Sequence, residues 1–282
     1  MAHCIISEAE AVLDKEFPVL DKGFIRLVDY MGGDARVVQA ARVSYGEGTK
    51  SRREDAGLID YLLRNRHTSP FEQVVLTFHV KLPVFVARQW IRHRTARVNE
   101  LSGRYSVMKD DFYAPDLGDI AAQSVDNKQG RGAAFEADAA AGVQSSLKNA
   151  QEGMYAAYTE LINKGVAREL ARINLPLSLY TEWYWQIDLH NLFHFLELRL
   201  DAHAQKEIRL YAQTLFDITK SVAPCCCAAF ERHVLGGVRF SREELAEIQS
   251  RLGNGGGVAS GAGLAGKELE RFEEKLRAGR QK

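Results

Sequence analysis

The chain has 282 residues, 46% hydrophobic and 26% charged, with 37 basic and 37 acidic side chains. That is ample for a packed core, in one large domain or two smaller ones. A formal charge of zero argues against a polyanion or an anionic membrane as the main partner, and no apolar run is long enough to span a bilayer. The opening MAHCIISEAEAVLDKEF carries acids early and lacks a basic-then-apolar signal pattern, so a cytoplasmic location is expected.

In chain order, residues 1–22 read as a variable lead-in, and a short strand is expected over 23–28. Residues 37–43 predict a helix that ends at Ser44-Tyr45-Gly46. Leu58, Ile59, Leu62 and Leu63 share one side of a second helix over 56–66. His67-Thr68-Ser69-Pro70 breaks it, because the residue before a proline is pushed out of helical space. From 72 to 82 the chain alternates, with Val74, Leu76, Phe78, Val80 and Leu82 on one face and Val75, Thr77, His79 and Lys81 on the other, which is a strand. Pro83 suits the first turn of a helix over 84–91.

Residues 114–133, rich in Asp, Gly, Asn and Gln, read as a long loop of the kind that covers a site. An Ala-rich helix over 134–164 closes at Gly165, and another covers 167–174 before Pro176. Asp188 caps a helix running from Leu189 to about Val222, with a break near Asp201. Its first turns are apolar on nearly every side and belong between layers. After Phe230 the pattern weakens. Residues 253–266 have linker composition, and 267–282 form a charged segment with a short helix. The expected organisation is a lead-in over 1–22, a catalytic domain over 23–245, and a linker and tail over 246–282.

Cys4 and the run Cys225-Cys226-Cys227 form no spaced disulfide or zinc framework and read as reduced, mostly buried thiols. The chemistry concentrates in RHRTARVNELSGRYS, where Arg92, Arg94, Arg97 and Arg104 fall within thirteen residues. Guanidinium forks at this density suit a phosphate, and Glu100, Ser102 and Tyr105 supply hydrogen bonds for a polar ring. A lone RHR is more often a basic surface loop. His190 and His194 are spaced like two metal ligands, but no glutamate follows His190 as the zincin motif requires. On spacing alone they read as a buried, satisfied pair, and no metal is expected. Trp90, Trp183 and Trp185 read as core or interface.

The RHR-then-seven-then-Ser pattern resembles the signature of the flavin-dependent thymidylate synthases. His67-Thr68-Ser69-Pro70-Phe71-Glu72, Phe85-Val86-Ala87-Arg88-Gln89-Trp90 and Asn99-Glu100-Leu101-Ser102-Gly103-Arg104-Tyr105-Ser106 resemble neighbouring family segments. So do Ala171-Arg172-Ile173-Asn174-Leu175-Pro176 and Leu198-Arg199-Leu200-Asp201-Ala202-His203-Ala204-Gln205, and the likeness spans roughly 23–235. It implies an α+β fold with a central, mostly antiparallel sheet flanked by helices. It also implies a homotetramer with shared active sites, converting dUMP to dTMP with bound FAD, methylenetetrahydrofolate as carbon donor and NADPH as reductant, and releasing tetrahydrofolate.

By the same resemblance Gln89, Arg92, Glu100, Leu101, Ser102, Gly103, Arg104, Arg172 and Arg199 hold dUMP. Arg199 is the expected catalytic residue, stabilising charge on the pyrimidine. Ser44, Ser69, Glu72, Arg92, His93, Arg94, Glu100, Asp188, His190, His194 and His203 fall at FAD-contacting positions, and His67 lies near flavin and folate. No GxGxxG fingerprint exists, so a Rossmann mode of flavin binding is not expected. Two rival readings exist. One is a nucleic-acid binding protein using Arg92–Arg104 as a basic patch, against which the zero net charge counts. The other is a methylase with a cysteine nucleophile, suggested by Pro224-Cys225, although Cys225 lies outside every matched motif.

Overall fold

The computed structural model describes residues 5–43, 52–125, 128–253 and 266–278. They fall into two compact units, Met1–Cys227 and Ala228–Lys282. The first begins with helix α1 (Ser7–Glu10), strands β1 (Glu16–Val19) and β2 (Gly23–Met31), and helices α2 (Asp34–Arg42) and α3 (Arg52–Arg64). Strand β3 (Val75–Pro83) leads directly into α4 (Val84–Trp90), followed by strand β4 (Arg97–Glu100). A two-stranded hairpin, β5 (Ala121–Gln123) and β6 (Arg131–Ala134), precedes the long α5 (Ala137–Asn163) and the single turn α6 (Arg168–Ala171). Strand β7 (Tyr180–Asp188) then runs into α7 (Leu189–Arg199), α8 (Lys206–Val222) and α9 (Pro224–Phe230).

The main sheet has the order β1-β2-β3-β7-β4, with every neighbouring pair antiparallel. The fold class is therefore α+β, as the resemblance implies. The alternation in β3 supplies the core face: Leu76, Phe78, Val80 and Leu82 are buried, alongside Ile25 and Leu27 of β2 and Trp183, Trp185 and Ile187 of β7. Helices α4, α7 and α8 pack against these strands. Trp90, in the last turn of α4, meets Trp183 and Trp185 edge-on at centroid distances of 5.7 and 5.1 Å and lies 4.8 Å from Phe195 of α7. Each fully buried side chain of this size contributes about 1.5–3 kcal/mol. The basic segment thus leaves α4 from a fixed point.

Several elements differ from the sequence reading. Residues 114–133 are not an unstructured loop. They hold a 3-10 turn (Leu117–Asp119) and the β5–β6 hairpin, and α5 starts only after β6 ends. The break expected near Asp201, by contrast, is present: it separates α7 from α8, and Asp201 accepts the His203 backbone N–H there at 2.8 Å. Residues 167–174 make one α-helical turn and one 3-10 turn, and a 3-10 turn (Phe71–Gln73) delays β3 to Val75. The lead-in carries α1 and β1.

In the second unit, α10 (Arg242–Gly253) and α11 (Lys267–Ala278) are laced by ion pairs. Arg251 reaches Glu247 at 2.8 Å and Glu273 at 2.6 Å, and Lys275 reaches Glu244 at 2.7 Å. Phe272 is buried beneath them, edge-on to Phe240 at 6.3 Å. No helix among the described residues is long and apolar enough to cross a membrane.

Candidate active site

Where β7 ends, Asp188 caps α7. One carboxylate oxygen accepts the Asn191 backbone N–H at 2.9 Å and the other its side-chain amide at 2.7 Å. The Leu189 N–H donates to the Val74 carbonyl at 2.8 Å, and the Phe71 and Phe193 rings lie 6.5 Å apart. The turn before β3 therefore adjoins α7. That turn exposes His67, Ser69 and Glu72, while α7 presents half-buried His190 and exposed His194. Thr95, just beyond the RHR run, donates to the Asn191 side chain at 2.8 Å. Ser44 lies outside the described residues.

A second group forms where α4 and α7 end. Arg199 donates from Nε to His93 Nε2 at 3.1 Å and from Nη2 to the Gln89 carbonyl at 3.3 Å. The His93 ring lies 5.7 Å from that of His194 and edge-on to Phe195 at 4.8 Å. Burial, then the Arg199 charge, then His194 lower the His93 pKa to about 4. Arg199 can only donate, so the neutral imidazole keeps its lone pair on Nε2 and its proton on Nδ1. Burial and the Arg92 charge in turn lower the pKa of Arg199. The Gln89 side chain donates to Gln205, which precedes α8. His203, exposed in the turn between α7 and α8, is held by Asp201.

The rest of the signature is set by β4 pairing with β7, in the register Arg97↔Gln186 to Glu100↔Trp183. The Leu101 N–H continues this by donating to the Glu182 carbonyl at 2.8 Å, and Glu100 accepts the Thr181 hydroxyl at 2.7 Å. Ser102 then folds the chain back. Its carbonyl accepts the N–H groups of Tyr105 and Ser106 at 3.1 Å each, and its hydroxyl accepts that of Arg104 at 3.3 Å. A Cβ at Gly103 would sit 2.9 Å from Met108 Sδ and 3.1 Å from Arg172 Cδ. Glycine here lets Arg172 lie against the backbone. Arg104 pairs with Glu169 at 3.2 Å, but both side chains are more than half exposed, so water screens the pair.

Arg92, Arg94 and Arg172 have no carboxylate partner among the described residues. The structure thus builds two groups from the sequence-predicted residues, Gln89–His93–His194–Arg199 and Glu100–Arg104 with Arg172, and leaves cations free in and between them. Sequence reasoning missed Gln205 and Thr181, which touch Gln89 and Glu100 from elsewhere in the chain, and Asn191, which binds Asp188 from the first turn of α7. Among these, Gln205 alone sits in a segment that resembles the family. Away from both groups, the Cys225 and Cys226 N–H groups donate to Asp34 at 2.8 and 3.0 Å. Burial, then Asp34, pushes the Cys226 thiol well above its ordinary pKa.

Comparison with known proteins shows the family. A family described as "Thymidylate synthase complementing protein" matches residues 26–225, and one described as "Thymidylate synthase ThyX C-terminal domain" matches residues 238–282. A flavin-dependent thymidylate synthase of Treponema denticola is 68% identical over 270 residues, covering 95% of this chain and 100% of that one. One from Treponema pallidum is 59% identical over 282 residues, covering 100% and 91%. The crystal structure of a UMP/dUMP methylase PolB from Streptomyces cacaoi, bound with 5-Br dUMP, superposes with a TM-score of 0.70 at 33% identity, over 77% of this chain and 98% of that one. With the signature, the sheet and relatives across its whole length in accord, the chain belongs to the flavin-dependent thymidylate synthases and is an enzyme of that family.

Proposed function

We propose that this enzyme methylates dUMP to dTMP, with FAD bound beside the nucleotide. Methylenetetrahydrofolate gives the carbon, NADPH gives the reducing equivalents, and tetrahydrofolate leaves. The observation that carries the reading is the set of arginines without carboxylate partners among the described residues, Arg92, Arg94 and Arg172, in a chain of zero net charge. Uncompensated guanidinium groups are the chemistry a phosphate dianion requires. Arg92, Arg104 and Arg172 would hold it, with Gln89, Glu100, Leu101, Ser102 and Gly103 around the nucleoside.

Arg199 is the proposed catalytic residue. Its closest partner is a neutral imidazole, not a carboxylate, so its positive charge stays available. It would stabilise negative charge developing on the uracil ring as C5 becomes nucleophilic.

The flavin neighbourhood fits on its donor set. The His93 and His194 imidazoles lie 5.7 Å apart, tilted by 60°, and Arg94, which has no carboxylate partner among the described residues, follows His93 in the chain, aromatic and cationic groups suited to a ring system joined to a pyrophosphate. Ser44, Ser69, Glu72, Arg92, Glu100, His190 and His203 would add polar contacts, and His67 would stand near the folate. Asp188 holds the start of α7 in place through Asn191. When bound, the flavin supplies hydride transfer. The reading uses no cysteine nucleophile: the Cys225 and Cys226 N–H groups are tied to Asp34, away from both groups of site residues, and burial with Asp34 raises the pKa of the Cys226 thiol. The assembly is proposed to be a cytoplasmic homotetramer with shared sites, and the catalytic domain to be 23–245, with 246–282 as tail.

The test is one absorbance spectrum of the purified chain with and without dUMP. A yellow protein whose spectrum shifts with dUMP and bleaches with NADPH is expected. A colourless protein that FAD cannot reconstitute overturns the proposal.

A further inference from the structure

The core face of β7 carries one hydroxyl among large apolar side chains. Thr181 is 2% exposed and shares that face with Trp183, Trp185 and Ile187. It pairs with Leu82 of β3, so its backbone sits inside the sheet. A hydroxyl buried there needs a partner, and it has one. Thr181 Oγ1 donates to Glu100 Oε1 of β4 at 2.7 Å. The register accounts for the contact. Glu100 lies opposite Trp183, and Thr181 is the next β7 residue on that face, a diagonal neighbour within reach of a long side chain. Arg97 takes the other face, where it meets Gln186. β7 has a second donor on the Glu100 side, the indole N–H of Trp183, but it is buried with no partner among the described residues. The Thr181 hydroxyl is thus the side-chain donor that β7 gives to Glu100.

That bond decides what Glu100 can do. Glu100 stands exposed on an edge strand, and a long side chain so placed loses its freedom when a ligand fixes it. Thr181 is β-branched and stiff about χ1, in a strand whose tryptophans are packed against Trp90. Its hydroxyl holds the carboxylate before any ligand arrives. Oε1 is then occupied. Oε2 has no partner among the described residues, and Glu100 has no cation partner there. In a signature crowded with arginines, a carboxylate left unpaired is an open acceptor. It repels a phosphate, so the group it accepts from belongs to the nucleoside: the sugar hydroxyl or the ring N3–H, the two donors of dUMP.

We infer that Thr181 is a positioning residue for the nucleotide site: its buried hydroxyl fixes the Glu100 carboxylate so that the second oxygen accepts a donor from the nucleoside. This rests on the reading above that Glu100 meets dUMP. Thr181 itself does not touch the nucleotide. Its loss is felt there because Glu100 must then be ordered at the cost of binding.

The experiment is a double-mutant cycle on the full chain loaded with FAD, reading dUMP affinity by calorimetry and folding by thermal melting. Thr181→Val keeps the volume and removes the hydroxyl. It is expected to weaken dUMP binding about fivefold and Glu100→Ala about twentyfold, with the double variant close to Glu100→Ala alone, because coupled groups are non-additive. Thr181→Ser, which keeps the hydroxyl, should recover most of the affinity. A lowered melting temperature with unchanged dUMP affinity, no recovery in Thr181→Ser, or losses that simply multiply overturns the assignment. If Thr181→Val does not fold, Thr181→Ala and Thr181→Ser, each crossed with Glu100→Ala, decide by the same criterion. If Glu100→Ala binds dUMP as tightly as the parent, the nucleotide reading of Glu100 falls and the role of Thr181 with it. If Glu100→Ala is weak and the cycle is additive, only the role of Thr181 falls.

Discussion

Replacing Arg199 by methionine removes its charge but keeps much of its stem, and His93 should report the change. The His93 pKa is held at about 4 by burial first and by Arg199 second. An ordinary histidine titrates near 6.5, so the gap is about two and a half units, a ceiling of roughly 3 kcal/mol at 1.36 kcal/mol per unit. Solvent reaches part of the ring, and screening reduces this to about 1–2 kcal/mol. The folded-state pKa lies below the unfolded one, so folding favours the neutral ring. That contribution is fully present above about pH 6.5, falls as the pH drops toward 4, and is gone below it. In Arg199→Met burial remains and the charge does not, so the His93 pKa should move part of the way back and the loss of stability between pH 7 and 5 should shrink. Imidazole resonances followed by NMR from pH 3 to 8, assigned against His93→Gln, measure the first effect. Urea melts at pH 7 and 5 measure the second. A His93 that titrates near 6.5 in the parent, or at the same pH in parent and variant, would refute the reasoning.

Three other outcomes are expected. Gly103→Ala places a methyl within 2.9 Å of Met108 Sδ and 3.1 Å of Arg172 Cδ, so dUMP affinity should drop by about fivefold or more as a charge-assisted contact is displaced; unchanged affinity by calorimetry would remove Arg172 from the phosphate site. Asp188→Ala deletes the cap of α7 and should cost about 1 kcal/mol, a fall of about 2–4 °C in melting temperature for a chain of this size. Replacing Cys225, Cys226 and Cys227 together by alanine should leave turnover intact, and a folded but inactive triple variant would restore the cysteine nucleophile.

What could be read in advance follows from how local the signal is. β3 was readable because its two faces differ residue by residue, and the Asp188 cap because the residue type and the apolar run after it are adjacent. β7 was not, because Tyr180, Trp183, Tyr184 and Trp185 put aromatic side chains on both faces, with Tyr184 exposed and the tryptophans buried. β4 is an edge strand whose four residues are all exposed, so it has no alternation to read. The β5–β6 hairpin has loop composition and is held by Arg131–Glu207, a contact 76 residues apart in sequence. α10 and α11 are fixed by charge pairs more than by an apolar stripe. In the site, the arginines were found through their motifs. The hydrogen bond from Arg199 to His93 crosses 106 residues and was not.

The two halves of the signature owe their places to different causes, and this explains why seven residues separate them. Arg92, His93 and Arg94 follow a helix end pinned by Trp90 in the aromatic core. Ser102, Gly103 and Arg104 follow a strand whose position is fixed by its register on β7. The intervening β4 is the spacer, and because successive side chains of a strand alternate between faces, changing its length by one residue would turn the Ser102 fold away from Arg172. β4 also forms the sheet edge, an exposed strand that soluble proteins usually cover or pair. Tyr105, Leu170, Ile173 and Leu177 are more than half exposed in the segments that carry Arg104 and Arg172. An apolar border around a cationic site calls for a covering surface, and a second copy of the chain supplies one in the proposed tetramer. On that view Arg92, Arg94 and Arg172 have no carboxylate partner among the described residues because the phosphate is their partner, and the proposed tetramer would have them meet it at a boundary between chains.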